Sequence, residues 1–338
     1  MAAEKKKLEW AQSLRGVGAL LVVFCHLWLA IQEVYGVENS FCSFMTTDIL
    51  DAGKIGVSIF FFLCGYFVVS VKKKSPKDFW WGRCKRLYPT YWFSIICAIA
   101  FLGTVFSAEG IHILKDTFSW KAIAANFTML QMFFRQQDIL GCYWTLPIEL
   151  LICGMFTVFR KRLDNENVVT GLFACTVAAT LLMAAARGYA HVKLPVALPL
   201  LAITSLLGYF TRMADDGVFS RKRQWILFAI FIIALIPITV MAYNFATEHQ
   251  ETWYRYFFTY CVGTLLFIGF NRLSVAWKPI TVVGNYSYSV YLLHAVGFNF
   301  ALRLFKDSLG AELMTIVCLI FIALFSVVAY QGVEKRIK

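Results

Sequence analysis

Long apolar stretches separated by short polar ones run through the whole sequence. Ten such stretches can be marked, at roughly 14–34, 54–71, 88–106, 142–159, 167–187, 195–211, 224–243, 254–270, 281–300 and 311–331. Most have the roughly 17–25 residues that an α-helix needs to cross the hydrocarbon core of a bilayer. The pattern therefore predicts an all-α, polytopic integral membrane bundle with about ten transmembrane helices.

A further apolar segment, 120–134, is shorter and has polar edges, so we interpret it as a re-entrant or interfacial helix. It lies within the longest predicted loop, about 107–141. No internal repeat of the kind found in many transporters is evident by inspection of the sequence. We expect residues 1–338 to form a single membrane domain without a fused soluble domain.

Composition and charge placement support this class. Hydrophobic residues make up 59% of the chain and charged residues 15%, and the mean hydropathy is +0.66, whereas soluble domains carry about 25% charged residues. A net charge of +12 could indicate nucleic-acid binding in a soluble protein. Here most of the 32 Lys and Arg residues fall in alternate polar segments, which predicts cytoplasmic termini, contact with membrane lipids and no nucleic-acid partner.

The ten cysteines show no CxxC pair and no metal-ligand spacing, so we predict no metal site. Most of them lie within apolar stretches, where cysteine behaves as a small hydrophobic residue. Cys42 and Cys142 lie outside those stretches. They either pair in an oxidising compartment or remain two free thiols.

The first predicted span carries two side chains that lipid disfavours, Arg15 and His26. A charged side chain in mid-membrane costs roughly 2.5–3.5 kcal/mol on insertion scales, so each is a candidate functional residue. Their separation of eleven residues places them on one helix face, about 16 Å apart along the axis. Arg15 then lies at the inner interface, where simple lipid anchoring would also place it, and His26 lies in the outer half.

Two other spans place polar side chains at a similar depth. Glu149 lies about 10 Å from the outer end of its span, and His294 lies about 20 Å from the inner end of its own. If the three helices are neighbours, His26, Glu149 and His294 share a polar cavity. His294 is equally compatible with a packing role, because a lone histidine in a span is often a satisfied core residue.

A second basic group, Arg83 and Arg86, precedes the third span on the same inner side as Arg15. Two guanidiniums at this spacing share a helix face and suit phosphate recognition, although ordinary positive-inside charge explains them equally well. Phosphate-binding groups inside and a histidine farther out match the long, phosphorylated shape of acyl-coenzyme A. Histidine is well suited to deprotonating a hydroxyl near neutral pH, and a carboxylate such as Glu149 can orient it.

Five stretches then carry a resemblance: "SLRGVGALLVVFCHLW", "GKIGVSIFFFLCGYFV", "RCKRLYPTYW", "YWTLPIELL" and "GNYSYSVYLLHAV". In this order, and over nearly the whole chain, they resemble motifs of the membrane acyltransferase-3 family. The matching positions are Arg15, His26, Arg83, Arg86, Tyr88, Pro89, Tyr91, Trp92, Trp144, Thr145, Leu146, Glu149, Ser287, Tyr288, Tyr291 and His294. The second stretch departs from the family pattern at Cys64, where serine is usual, which puts in doubt a role for a hydroxyl there.

The resemblance implies a ten-helix integral membrane O-acyltransferase of the plasma (cell inner) membrane. It would move an acyl group, acetyl above all, from acyl-CoA to a hydroxyl of a saccharide or glycolipid of the cell envelope. Acetyl-CoA would be a co-substrate rather than a permanently bound cofactor. By this resemblance His26 is catalytic, and Arg15, Arg83 and Arg86 contact the coenzyme.

For the remaining site residues we expect Glu149 to support His26 as a second catalytic residue. The acceptor side is expected to be lined by Tyr288, Tyr291, His294 and Trp144. Two other functions stay open: a transporter or exporter of lipid-linked glycans or small acids, and a non-catalytic scaffold for envelope synthesis. The missing repeats disfavour the transporter, and the scaffold leaves the intramembrane histidine and glutamate unexplained.

Overall fold

The computed structural model describes residues 2–102, 119–243 and 252–337, with side chains described from residue 9 onward, and this part of the chain is helical without strands. Its helices of eight or more residues are α1 (Ala2–Tyr35), α2 (Ala52–Phe67), α3 (Pro76–Cys97), α4 (Trp120–Phe127), α5 (Thr145–Phe159), α6 (Glu166–Tyr189), α7 (Ala197–Asp215), α8 (Arg221–Tyr243), α9 (Trp253–Leu273), α10 (Lys278–Asn285), α11 (Ser287–Phe305) and α12 (Ala311–Ala329). The all-α fold class is therefore confirmed.

Seven helical segments in the described ranges are long and apolar enough to cross a membrane. They are Glu9–Tyr35, Ala52–Lys73, Gly141–Phe159, Glu166–Tyr189, Ala197–Asp215, Arg221–Tyr243 and Ala311–Ile337. An eighth results if α9 and α10, which meet at a bend of 116°, count as one broken span. The protein is thus a multi-pass membrane protein, while the count of ten spans and the cytoplasmic termini stay predictions.

Two of the ten predicted spans, 88–106 and 281–300, do not coincide with a helix that is long and apolar enough to cross a membrane. The stretch 88–106 begins inside α3, whose first half is rich in charged residues. The stretch 281–300 is not one helix, because the chain turns at Tyr286 between α10 and α11. Apolarity alone therefore placed the start of the latter span too early.

Helix α1 packs against α2, α10 and α11. Glycines permit the closest of these approaches: a Cβ at Gly56 would clash with the backbone carbonyl of Gly18, and one at Gly284 would clash with that of Gln12. Such small residues allow membrane helices to pack backbone to backbone. The arrangement brings the predicted face of α1 against the helix that carries His294.

Most of the largest fully buried side chains in the described part of the chain are aromatic. Trp10 packs edge-on against Tyr66 and Phe267, and Phe62 stacks on Phe267 with ring centroids 4.7 Å apart. At the same end of α2, the Asp215 carboxylate accepts hydrogen bonds from Tyr66 (3.0 Å), Asn271 (2.9 Å) and Arg221 (2.7 Å). These contacts tie α2, α7, α8 and α9 together.

The segment 120–134 is helical only over α4 and then continues as turns. It docks on α3 through three hydrogen bonds to carbonyls at the end of α4. Tyr91 donates to Asn126 O (2.7 Å), Trp92 donates to Phe127 O (2.9 Å) and Tyr88 donates to Thr128 O (2.9 Å). These donors satisfy carbonyls that a helix end leaves without partners.

Cys42 and Cys142 are both free thiols in the structure. Cys142 is buried, whereas Cys42 is partly exposed at the start of the loop between α1 and α2. Of the two alternatives, a disulfide or two free thiols, the structure therefore shows two free thiols.

Candidate active site

His26 and His294 are in direct contact. The Nδ1 atom of His26 lies 2.8 Å from Nε2 of His294, and the two rings are nearly parallel at 11°. His294 is fully buried, whereas His26 keeps some exposure. Helices α1 and α11 thus bring together two of the three polar residues that the depth count placed at one level.

The hydrogen bonds of His294 determine the tautomer of both rings. Its Nδ1 lies 2.8 Å from the carbonyl oxygen of Tyr291 and 3.2 Å from that of Val290. A carbonyl can only accept, so Nδ1 of His294 carries the proton and its Nε2 is the acceptor. The proton between the rings then belongs to Nδ1 of His26, which leaves a lone pair on Nε2 of His26.

A second group of polar residues lines a cavity among α1, α2, α3, α5 and α11. The lining residues are Arg15, Val57, Phe60, Phe61, Leu63, Cys64, Phe67, Arg83, Arg86, Leu87, Thr145, Leu146, Glu149, Ser287, Tyr288 and Tyr291. All three predicted coenzyme-binding arginines are among them. The sequence prediction that Arg15 and the Arg83–Arg86 pair lie on one side is therefore matched by a single cavity.

Packing holds two of these arginines in place. The guanidinium of Arg15 lies over the ring of Phe67, 5.0 Å from its centroid, and donates to Gln12 Oε1 at 3.2 Å. Arg83 Nη2 lies 3.4 Å from Glu149 Oε1 and 2.9 Å from Cys153 Sγ. The cavity thus carries three guanidiniums and one carboxylate, an excess of positive charge suited to phosphate groups.

No hydrogen bond joins Glu149 to His26, the residue that we expected it to support. Its carboxylate pairs with Arg83, and His294 takes the place beside His26. The physical reason is direction. Glu149 lies in the second turn of α5, on the face toward the arginine cavity, and a depth count along a helix gives no information about which neighbour a side chain faces.

Tyr291 connects the two groups. Its side chain lines the cavity, and its hydroxyl lies 2.7 Å from Thr145 Oγ1 and 2.8 Å from the carbonyl oxygen of Cys142. Its own backbone carbonyl accepts the hydrogen bond from His294. One residue therefore forms the deep wall of the cavity and anchors the histidine pair.

The other two residues predicted to contact the acceptor lie apart from the histidines. Tyr288 lines the cavity and donates its hydroxyl hydrogen to Leu87 O at 2.8 Å, on the side of the arginines. Trp144 ends the short 3-10 helix Gly141–Trp144 and packs against the hydrophobic core.

A buried ion cluster near His26 was not predicted. Asp51 precedes α2 and accepts from Lys54 Nζ at 2.8 Å and from Arg255 Nη2 at 3.0 Å. Cys25, the neighbour of His26 in sequence, lies 3.9 Å from the same carboxylate. Burial alone would raise the pKa of Asp51, but the two cations hold it below its ordinary value. Its signal in the sequence is the pair Asp51 and Lys54 at the start of a span.

Comparison with known proteins gives relatives at low identity. The chain is 24% identical over 328 residues to the O-acetyltransferase OatA of Staphylococcus aureus, a match that covers 86% of this chain and 53% of OatA. It is 25% identical over 285 residues to the putative peptidoglycan O-acetyltransferase YrhL of Bacillus subtilis, covering 72% of this chain and 44% of YrhL. The chain thus spans about half the length of these curated relatives. No solved structure is significantly similar to it.

A family model described as an acyltransferase domain matches residues 8–331, nearly the whole chain, and includes both the histidine pair and the arginine cavity. The chain therefore belongs to the acyltransferase-3 family.

Proposed function

We propose that the protein is an O-acetyltransferase of the plasma membrane that takes its acyl group from acyl-CoA on the cytoplasmic side. The observation that carries the proposal is the hydrogen-bond chain from the Tyr291 carbonyl through His294 to His26. It presents one unprotonated imidazole nitrogen near a cavity lined with arginines. This combination is what transfer of an acyl group from a phosphorylated donor requires.

Arg15, Arg83 and Arg86 hold the phosphate groups of the coenzyme. Guanidiniums bind phosphate through paired, charge-assisted hydrogen bonds, which are stronger than neutral ones. The Glu149 carboxylate lies 3.4 Å from Arg83 Nη2 and orients this guanidinium. The pantetheine arm then runs from the arginines toward Tyr291, and this direction brings the thioester to the histidine pair.

His26 acts as the general base. Its Nε2 takes the proton of the acceptor hydroxyl as the oxygen attacks the thioester carbonyl. The tetrahedral intermediate expels the coenzyme thiolate, and His26 returns the proton to it, so that the products are an acyl ester and free coenzyme A. While protonated, His26 continues to donate through Nδ1 to His294, which keeps the ring in position.

The acceptor is a hydroxyl of a cell-envelope glycan. Support comes from the name of the Bacillus subtilis relative, which places that protein as a putative peptidoglycan O-acetyltransferase. Glycans are rich in hydroxyls that need a base to become nucleophilic. We further propose cytoplasmic termini, because Lys and Arg concentrate in the segments on that side.

The test is transfer of radiolabelled acetyl from acetyl-CoA to a glycan hydroxyl by the protein in proteoliposomes. His26→Ala is expected to abolish transfer and to leave coenzyme A binding intact. His191→Ala is the matched control, since His191 lies exposed in the loop after α6. Transfer by a folded His26→Ala protein at the wild-type rate would refute the role of His26 as base.

A further inference from the structure

Two thiols on neighbouring helices share one guanidinium nitrogen in the wall of the arginine cavity. Arg83 Nη2 lies 2.9 Å from the sulfur of Cys153 on α5 and 3.4 Å from the sulfur of Cys64 on α2. Because both sulfurs contact the same nitrogen atom, the two thiols are close neighbours in the cavity wall. Since the three groups come from α2, α3 and α5, the fold creates this contact, and no local sequence spacing does.

The two thiols differ in access. Cys64 lines the cavity and is partly exposed, whereas Cys153 is completely buried behind it. A reagent that enters the cavity therefore meets Cys64 first and finds Cys153 next to it. An accessible thiol with a second thiol beside it is the arrangement in which oxidation proceeds to a disulfide.

The guanidinium favours the reactive form. A thiolate is the nucleophile in thiol chemistry, and a neighbouring arginine stabilises it. Cys25 offers a contrast within the same chain, because its sulfur lies 3.9 Å from the carboxylate of Asp51, a group that disfavours a second negative charge. Among the ten cysteines, the Cys64–Cys153 pair thus has both the cation and the partner that reactivity needs.

We propose that Cys64 and Cys153 form an oxidisable dithiol site that closes the arginine cavity when it becomes a disulfide. With a peroxide as oxidant, the Cys64 sulfur attacks one peroxide oxygen and becomes a sulfenic acid, and its proton leaves with the other oxygen as water or the corresponding alcohol. Cys153 then attacks the Cys64 sulfur, forms the disulfide and releases water. Two thiols are oxidised and one peroxide is reduced, so atoms and electrons balance.

Closure has two physical causes. A disulfide holds its sulfurs about 2 Å apart, so the bond draws α2 and α5 together at the cavity wall. It also removes the thiol and thiolate acceptors of Arg83, because a disulfide sulfur carries no charge. Arg83 is then left to the Glu149 carboxylate, 3.4 Å away in the reduced protein, and its guanidinium is withdrawn from ligands in the cavity.

The dithiol is tested on the purified protein in detergent with hydrogen peroxide, followed by maleimide labelling and peptide mass spectrometry. We expect a dithiothreitol-reversible cross-link between the Cys64 and Cys153 peptides and the loss of two alkylatable thiols per chain. Cys64→Ser and Cys153→Ser should each abolish the cross-link. Cys97 and Cys318, both buried, serve as controls and should not change. A wild-type protein that keeps both thiols alkylatable, or that forms other cross-links at the same rate, overturns the proposal.

Closure is tested by coenzyme A binding before and after peroxide, and this arm rests on the proposed function. We expect oxidation to weaken binding to the wild type by about tenfold or more, the loss of one charge-assisted hydrogen bond. In Cys153→Ser the dissociation constant for coenzyme A should be nearly the same before and after peroxide. Unchanged wild-type binding despite a complete cross-link overturns closure, whereas reduced protein that binds no coenzyme A overturns the proposed function and leaves the cross-link result standing.

Discussion

Nδ1 of His26 donates to Nε2 of His294 across 2.8 Å, and this bond joins the first long helix of the chain to one near its end. Because His294 is itself held by the carbonyl of Tyr291, its ring cannot turn without losing a buried hydrogen bond. His294 is therefore a positioning residue that fixes which nitrogen of His26 is free.

Replacing His294 with alanine should lower kcat for acyl transfer by between about a hundredfold and ten-thousandfold, because His26 loses its tautomer and its orientation. The dissociation constant for coenzyme A should change little, since His294 does not line the arginine cavity. Steady-state kinetics together with equilibrium binding separate the two effects. A proportional loss of binding and rate would instead point to general unfolding.

Replacing Arg15 with alanine should weaken coenzyme A binding by about tenfold to a hundredfold, the cost of one charge-assisted contact, with a smaller effect on kcat. The measurement is isothermal titration of purified protein at two salt concentrations. Arg336→Ala is the matched control, because Arg336 is an exposed cation at the chain end outside the cavity. Equal losses in both variants would indicate that charge in general, rather than this site, attracts the coenzyme.

Tyr291→Phe should separate the two functions of that residue. The variant loses the hydroxyl contacts with Thr145 and the Cys142 carbonyl but keeps the backbone carbonyl that holds His294. We expect a loss of stability of about 1–2 kcal/mol, because Thr145 and the Cys142 carbonyl lose their hydrogen-bond partner. The decrease in kcat should be much smaller than the decrease caused by His294→Ala. Thermal unfolding and steady-state kinetics on the same preparation measure the stability loss and the change in kcat. A decrease in kcat equal to that of His294→Ala would contradict separate functions for the Tyr291 hydroxyl and its backbone carbonyl.

Asp51→Asn should destabilise the protein at neutral pH by about 3 kcal/mol, because it leaves the partly buried cations Lys54 and Arg255 without their buried carboxylate. The pKa of Asp51 is held below 3.8, its ordinary value. Its contribution is therefore complete above pH 3.8 and is lost as the pH falls through the lower folded value. The gap in Tm between wild type and variant should be constant from pH 8 to 5 and shrink below 3.8. Asp48→Asn, at an exposed site, should show no gap.

Gly56→Ala should destabilise the bundle by about 1–3 kcal/mol, since its Cβ meets the backbone of Gly18 on the neighbouring helix. Gly154→Ala is the matched control, because no atom lies within 4 Å of a Cβ there. That change should be neutral or slightly stabilising, as alanine favours a helix more than glycine does. The comparison is the midpoint of thermal unfolding in one detergent.

Much of this site could be predicted from the sequence. The spacing of Arg15 and His26 predicted a basic group and an imidazole on one face of α1, and counted depth brought His294 to the level of His26. The sequence could not show how each helix is rotated about its own axis, and therefore which neighbour a side chain faces. Glu149 faces Arg83, and only the packing of α5 against α2 and α3 determines that.

Other features depend on contacts between residues far apart in the chain. Cys64 and Cys153 looked like ordinary small hydrophobic residues, because each lies inside an apolar stretch. Tyr291 was predicted to line the acceptor side, but its motif did not indicate that its backbone carbonyl holds His294. Apolarity also gave no boundary at Tyr286, the single residue that separates two helices within one hydrophobic stretch.

Helix α3 carries Arg83 and Arg86 in its first half and Tyr88, Tyr91 and Trp92 in its second. The arginines face the cavity, and the three aromatic donors hold the carbonyls at the end of α4. Both sets lie on one continuous helix, within nine residues of each other, so a displacement of the arginines would also displace the segment that follows α4.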